Sequence, residues 1–400
     1  MRSDSTARRA SADNGAALGP RRLSAAIKKV CRGIVARGLY HTGLLRAAQR
    51  LARTHELQSV AGSRLPRLRR SPAPKFGILC YHRVGIGGVP LFSQLDPQVF
   101  EAQMRHLRKR YRLVSLAQMC RELQDSGPGE PALAITFDDG YRDLYTHAFP
   151  VLQKYKIPAT VYLIGRCVET GETPWYDRIF VAFQAVPGAA LELELDGPRR
   201  FELSNPAARA RAAWEIVCYL RAIPDARRRA CCAALERQIP PPREELKERM
   251  LNWEQVRRMH DGGVFFGAHT LTHPVVSQLE PGAWEEELAS SKQLLESRLG
   301  SPVEDFAYPF GKPEHCGLAA EDFLRRCGYR SAVTTAEGCN TKGVSLYRLR
   351  RLQIGDSRSI SSFAFNVGRL FLEVPSESPV DSAAAATRQA RREELRGMER

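Results

Sequence analysis

The chain has 400 residues, 43% hydrophobic and 8% aromatic, and carries 60 Lys and Arg against 44 Asp and Glu, a net charge of +16. This composition fits a folded globular body and excludes a wholly disordered chain, and no run approaches the ~18 consecutive apolar residues of a membrane span. Residues 1–75 hold 17 of the Lys and Arg against three acids, so the basicity belongs to an N-terminal appendage and gives the main body no nucleic-acid signature.

Residues 1–22 are polar and rich in Gly, Ala, Ser and Arg, which predicts a disordered tail. Residues 23–60 read as a basic amphipathic helical segment. Leu23, Ile27, Val30, Ile34, Leu44, Leu45 and Leu51 recur near helical spacing, with Lys28, Lys29, Arg32, Arg37, Arg46 and Arg50 between them. Gly33, Gly38 and Gly43 favour two short helices over one long one. Two uses are open: peripheral contact of residues 23–52 with an anionic membrane surface, or docking of the apolar stripe onto the neighbouring domain. Nucleic acid is a poor partner because the aromatic interleaving of single-strand readers is missing. The basic start is followed by no apolar run, so the expectation is no signal peptide and a cytoplasmic chain, held at most against a membrane surface. The ten cysteines contain no CxxC pair and read as reduced, mostly buried thiols.

A Pro/Arg linker, residues 61–75, leads to the main domain, expected over residues 76–357. FGILCYHRV is a strand ending in polar groups. PALAITFDDG (131–140) is a strand ending in acids, and YRDLYTHAFPVLQKYKI (141–157) a helix closed by Pro158. ATVYLIG (159–165) is a strand, NWEQVRRMHDGG (252–263) a helix and turn, and VFFGAHT (264–270) a strand. WEEELASSKQLLESRLG (284–300) is an amphipathic helix with a Gly stop. Strand-like VEDFAYPFG (303–311), helix AAEDFLRRCGY (319–329), strand RSAVTT (330–335) and a last strand in YRLRRLQI (347–354) complete the alternation. That βαβα rhythm argues for a parallel sheet with helices outside, open or closed into a barrel. Residues 172–250 break it with a hairpin pattern around LELELDGPRRFEL and an Arg/Ala-rich helical run, an insertion too long for an ordinary loop. Residues 358–400 read as a C-terminal extension and tail.

Two motifs carry chemistry. ITFDDG (135–140) puts adjacent carboxylates at the C-terminal mouth of a sheet, where sites of α/β folds collect; alone, Asp-Asp-Gly is also a common turn. AHTLTHP (268–274) puts His269 and His273 four apart at another strand end, where a helical turn would aim both imidazoles one way. Two His and one carboxylate suit a catalytic divalent metal such as Zn²⁺, with Co²⁺ or Mn²⁺ also accommodated; a pair of surface or capping histidines is the plainer alternative. His147, His260 and His315 read as ordinary helix or loop positions.

The pairing of TFDDG with HTLTH, together with ILCYHRV (78–84), FAYPFG (306–311) and GYRSAVTT (328–335), resembles the polysaccharide deacetylases, the NodB-homology or carbohydrate esterase family 4 proteins, in an exopolysaccharide-type form. The resemblance covers roughly residues 76–357 outside the insertion. It implies a distorted (β/α) barrel, here with a long insertion and a basic N-terminal helix. It also implies metal ligands Asp139, His269 and His273, a general base Asp138, and hydrolysis of acetyl groups from an N-acetylhexosamine-containing oligo- or polysaccharide in exopolysaccharide or cell-envelope glycan metabolism. Tyr308, Pro309 and Phe310 of the third motif are expected to contact substrate, with a backbone N–H near Tyr308 helping to hold the oxyanion.

The chain departs from the family pattern twice. The third motif lacks its Arg, reading Phe306-Ala307-Tyr308-Pro309-Phe310-Gly311, and no histidine follows His315. His82 is therefore the candidate general acid, and Arg350, or its neighbour Arg351, the candidate that orients Asp138. Trp175 follows ATVYLIG closely and reads either as a stacking wall for a sugar ring or as a pin for the insertion. A catalytically impaired carbohydrate-binding protein on the same fold, or a membrane-surface scaffold, are the competing classes.

Overall fold

A computed structural model of the chain describes residues 75–86, 94–125, 130–195, 197–355 and 359–372. The tail 1–22, the basic segment 23–60, nearly all of the linker 61–75 and the residues after 372 lie outside them.

The strands expected at each motif form. β1 (Phe76–Tyr81), β3 (Ala132–Phe137) and β4 (Ala159–Leu163) are buried along their whole length, as near-continuous apolar runs covered by helices on one side and core on the other must be. Helices α1 (Pro97–Arg110) and α2 (Leu116–Gln124) flank a short strand β2 (Arg112–Leu113) between β1 and β3. Asp96 caps α1, its carboxylate accepting the Gln98 N–H at 2.8 Å ahead of a first-turn proline.

The helix expected over 141–157 is broken into a π turn, Leu144–Ala148, and α3 (Phe149–Tyr155). After β4 come α4 (Gly165–Thr170) and then the insertion: α5 (Trp175–Ala185), the hairpin β5 (Ala190–Glu194) and β6 (Pro198–Glu202), α6 (Pro206–Ala222), α7 (Asp225–Gln238) and α8 (Arg243–Leu246). Helix α9 (Trp253–Asp261), opened by an Asn252 and Gln255 capping box, leads to β7 (Val264–Ala268). A second π turn, Glu285–Ala289, precedes α10 (Ser290–Leu299), which stops at left-handed Gly300 (φ 67°). The remainder is β8 (Asp305–Ala307), α11 (Pro313–Cys316), α12 (Leu318–Arg326), β9 (Ser331–Val333), β10 (Leu352–Gln353) and α13 (Ile360–Leu372).

The sheet runs β10-β1-β3-β4-β7-β8-β9, all parallel, with β2 beside the start of β3. Residues 349–353 close it. Leu349 bridges to Val333 at the end of β9, and three residues later Leu352 pairs with Leu79 of β1. The result is the distorted (β/α) barrel implied by the sequence, with its seam at Arg350 and Arg351.

Helix α13 went unread in the sequence although Phe363, Val367 and Leu370 repeat at helical spacing. All three are buried in the main core, so that core runs past the expected limit at residue 357. The insertion has a core of its own, built from Tyr176, Phe183, Ile216, Val217 and Leu220 among others. Among the described residues nine cysteines are free, and no helix is long and apolar enough to cross a membrane.

Candidate active site

The C-terminal ends of β1, β3, β7 and β8 meet at one mouth, and each motif contributes a turn there. After Phe137 the chain reverses through Asp139 (φ 73°) and Gly140 (φ 80°). Left-handed backbone at two successive residues lets adjacent acids leave the strand end in different directions while both stay at the mouth. Asp138 is tied to β1 by its N–H on Tyr81 O at 3.0 Å.

Asp139 meets the histidines. Its Oδ1 lies 3.4 Å from His273 Nε2 and 3.6 Å from His269 Nε2, and the two Nε2 atoms are 3.2 Å apart. The histidines converge without the helical turn expected from their spacing. Thr270 (φ 63°) and His273 (φ 62°) both adopt left-handed backbone, and His273 N–H donates to Thr270 Oγ1 at 2.9 Å, so a compact loop swings the second ring back onto the first.

This cluster fits a divalent cation. Each of the three residues offers a ligand atom within 4.8 Å of the others, all buried. His269 Nδ1 bonds Ala307 O at 2.7 Å, which assigns its proton to Nδ1 and leaves the Nε2 lone pair facing the cluster. Asp139 Oδ2 and His273 Nδ1 are buried with no hydrogen-bond partner among the described residues. Burial, then the charge of Asp138, pushes the Asp139 carboxyl well above its ordinary range, and burial lowers both histidines. Three desolvated donors with nothing positive between them are an electrostatic setting that a cation relieves.

Asp138 has a different setting. Arg351 Nη1 and Nη2 donate to its two oxygens at 2.7 Å each, while Arg351 Nε donates to Thr334 O at 2.8 Å. Burial opposes the charge on Asp138, but Arg351 outweighs it and holds the carboxyl well below the usual carboxylate range. Of the two seam arginines it is Arg351, and not Arg350, that reaches Asp138. Inward and outward residues alternate along an extended segment, so Arg350 points to the other side, where its side chain packs against Gly338. Cys80 Sγ approaches Asp138 Oδ2 at 3.5 Å from behind, and burial pushes that thiol up.

His82 stands beside Asp138, its Nε2 3.9 Å from Asp138 Oδ2, and keeps 17% side-chain exposure. Burial lowers it to about 4 against the pull of Asp138, so the ring is neutral near pH 7.

Three of the four residues expected to contact substrate are buried. Trp175 is 5% exposed in the core of the insertion and donates its indole N–H to His273 O at 3.1 Å; it pins the insertion to the histidine loop and offers no face to a sugar. Tyr308 is 1% exposed, and its backbone N–H is taken by Val333 O at 3.2 Å, which removes it as an oxyanion donor. Pro309 is buried beside it. Phe310 alone is half-buried. Its ring stacks edge-on to His273 at 4.8 Å, Tyr176 faces the same imidazole at 4.9 Å, and Arg221 of the insertion lies 4.2 Å from the Phe310 ring.

No pattern in the sequence singled out Glu287. It accepts the N–H groups of Leu271 and Thr272 between the two histidines. Nor did any pattern point to the Arg83–Asp143 ion pair at 2.8 Å or to Tyr141 donating to Asp177 at 2.9 Å; all are charged or aromatic residues whose burial is decided by tertiary contacts.

A family model described as polysaccharide deacetylase matches residues 125–332, just over half of the chain. The chain is 23% identical over 291 residues to YxkH of Bacillus subtilis (strain 168), which is named as a polysaccharide deacetylase, over 72% of this chain and 75% of that one. It is 38% identical over 82 residues to the poly-beta-1,6-N-acetyl-D-glucosamine N-deacetylase of Escherichia coli (strain K12), over 20% of this chain and 12% of that protein. In structure it resembles the Streptococcus pyogenes deacetylase PplD, solved in complex with acetate, with a TM-score of 0.51 at 20% identity over 74% of this chain and 98% of that one. The chain belongs to the polysaccharide deacetylase family.

Proposed function

We propose that the chain is a metal-dependent deacetylase of N-acetylhexosamine-containing saccharides, with Asp139, His269 and His273 as ligands and Asp138 as general base. The observation that carries this reading is the contrast between two neighbouring acids: Asp138 fixed as a carboxylate by Arg351, and Asp139 in a buried cluster with two neutral histidines. Zn²⁺ suits the donor set best, with Co²⁺ or Mn²⁺ as alternatives. Such a cation supplies charge that polarises an acetyl carbonyl and acidifies water.

The residues divide the remaining work. Asp138 takes a proton from the attacking water, and Arg351 keeps its carboxylate aimed and charged. His82, neutral and beside Asp138, is placed to receive a proton and pass it to the leaving nitrogen. The water oxygen bonds to the acetyl carbon, the C–N bond breaks, and acetate and amine leave. Arg351 occupies the role that the third-motif arginine has in the pattern from which this chain departs. Phe310 offers the partly exposed aromatic edge for the sugar. The 82-residue similarity to an enzyme named for poly-β-1,6-N-acetyl-D-glucosamine makes that polymer the first substrate to try, consistent with a role in exopolysaccharide metabolism. The basic segment 23–52 is proposed to hold the enzyme at an anionic membrane surface.

The test is acetate release from β-1,6-linked N-acetylglucosamine oligomers and from acetylated chitooligosaccharides by metal-stripped protein reloaded with Zn²⁺, beside Asp138→Asn. Release that needs metal and vanishes in the variant supports the reading. Metal bound without release from any acetylated saccharide would favour the non-catalytic sugar-binding alternative.

A further inference from the structure

The loop that carries the two histidines is held from beneath by a single buried acid. Thr270, Leu271 and Thr272 join His269 to His273, and their backbone cannot pair as helix or strand. The carbonyls of Thr270 and Leu271 accept the first N–H groups of α4, from Gly165 at 3.1 Å and Arg166 at 2.9 Å. The N–H groups face the other way. Glu287 Oε2 accepts Thr272 N at 2.9 Å and shares Leu271 N, at 3.0 Å, with the backbone carbonyl of Glu287, also at 3.0 Å, while Glu287 Oε1 accepts the Thr272 hydroxyl at 2.6 Å. Glu287 is 1% exposed, whereas its neighbours Glu285 and Glu286 are exposed. All three lie in the π turn Glu285–Ala289, an irregular turn of a kind frequent at functional sites.

A buried carboxylate is costly unless it is fully hydrogen-bonded. Here all of its bonds that are described go to the segment between the histidines, so the acid and the loop fix one another. We propose that Glu287 is the positioning residue for His269 and His273, setting the separation and aim of their Nε2 atoms and so the affinity of the site for a divalent cation. The inference rests on the metal reading above and assigns Glu287 no contact with metal or substrate. A glutamine fits the same place: its carbonyl oxygen accepts the two N–H groups and its amide donates to the Thr272 hydroxyl.

The experiment is Zn²⁺ affinity of the metal-stripped full chain, measured by competition with a chromophoric chelator, for the parent, Glu287→Gln and Glu287→Ala, with circular dichroism as the check on folding. Glu287→Gln is expected to stay within about threefold of the parent and Glu287→Ala to bind about 10–100-fold more weakly, the range for outer-shell partners of metal ligands. Parent-like affinity in Glu287→Ala overturns the inference, and so does a Glu287→Gln variant as weak as the alanine. Should the alanine variant not fold, Glu287→Asp replaces it: its carboxylate falls one methylene short of the three donors, the same loss is expected, and parent-like affinity overturns the inference. A parent that binds no Zn²⁺ removes the metal reading and this inference with it, whereas a parent that binds beside an equally tight Glu287→Ala removes the inference alone.

Discussion

Arg351 and Asp138 face each other through two parallel hydrogen bonds of 2.7 Å, and neither side chain is more than 3% exposed. The arginine comes from the seam of the barrel, 213 residues along the chain from the acid. A further bond, to Thr334 O, anchors the fork to the loop after β9, so Asp138 is oriented by the closure of the barrel itself. Lysine at this position keeps a positive charge but loses the fork. Arg351→Lys is expected to lower kcat for acetate release by about 100-fold with a KM close to the parent's, the low end of what a well-placed general base contributes. A parent-like kcat would remove Arg351 from the machinery.

Removing the arginine's charge has a second consequence. Arg351→Met leaves the buried Asp138 carboxylate without its cationic partner, a change that costs about 3–5 kcal/mol where a buried ion pair loses one member. The double variant Arg351→Met with Asp138→Asn is expected to recover most of that loss, since no bare charge then remains. Urea unfolding of the four proteins checks it; equal losses in the single and double variants would contradict the coupling.

The sequence made the local parts of this site legible and left the distant ones ambiguous. Asp138, Asp139, His269 and His273 each follow an apolar strand, and an apolar strand ending in polar residues is a local pattern. The choice between Arg350 and Arg351 turns on one residue of register in the segment leading into β10, a strand only two residues long, which no pattern fixes. Glu287 reads as one of three acids on a solvent face, and only the packing of its π turn under the histidine loop buries it. Trp175 fitted both stacking and pinning; its burial against α7, with Arg228 5.0 Å from its ring, decides for pinning. Helix α13 is legible in the spacing of Phe363, Val367 and Leu370, although it lies beyond the last motif.

The pin itself is testable. Trp175→Phe keeps an aromatic filler in the insertion core and deletes only the N–H bond to His273 O. It is expected to weaken Zn²⁺ binding several-fold while costing about 1–2 kcal/mol of stability, the size of one buried hydrogen bond with its carbonyl left unpaired. Unchanged metal affinity would show that the insertion does not support the loop.

At Gly267, two residues before His269, a Cβ would lie 2.5 Å from Tyr162 Cδ1 and 2.7 Å from the carbonyl oxygen of Asp305. The backbone oxygen cannot move aside without shifting β8. Gly267→Ala is therefore expected to destabilise the fold by about 1–3 kcal/mol, the usual cost of overpacking. A melting temperature equal to the parent's would contradict the close strand approach.

Asp305 gives a pH signature away from the site. Burial pushes its carboxyl up to about 6, with the Ser331 hydroxyl bond pulling the other way. The folded state thus binds a proton more tightly than the unfolded chain, so this group's contribution to stability is present at acid pH and is lost as pH rises from about 4 to 6. Asp305→Asn keeps an acceptor for Ser331 and is expected to flatten that part of the stability curve, as followed by urea midpoints; an unchanged slope would contradict the assignment.

The most direct test of the central claim is calorimetric titration of metal-stripped protein with Zn²⁺, beside His273→Ala and Asp138→Asn. The structure predicts one Zn²⁺ per chain for the parent, loss of that site in His273→Ala, and its retention in Asp138→Asn, whose side chain faces Arg351 and not the cluster. A parent that binds no metal, or a His273→Ala variant that binds as tightly as the parent, would contradict the assignment of Asp139, His269 and His273 as the metal centre.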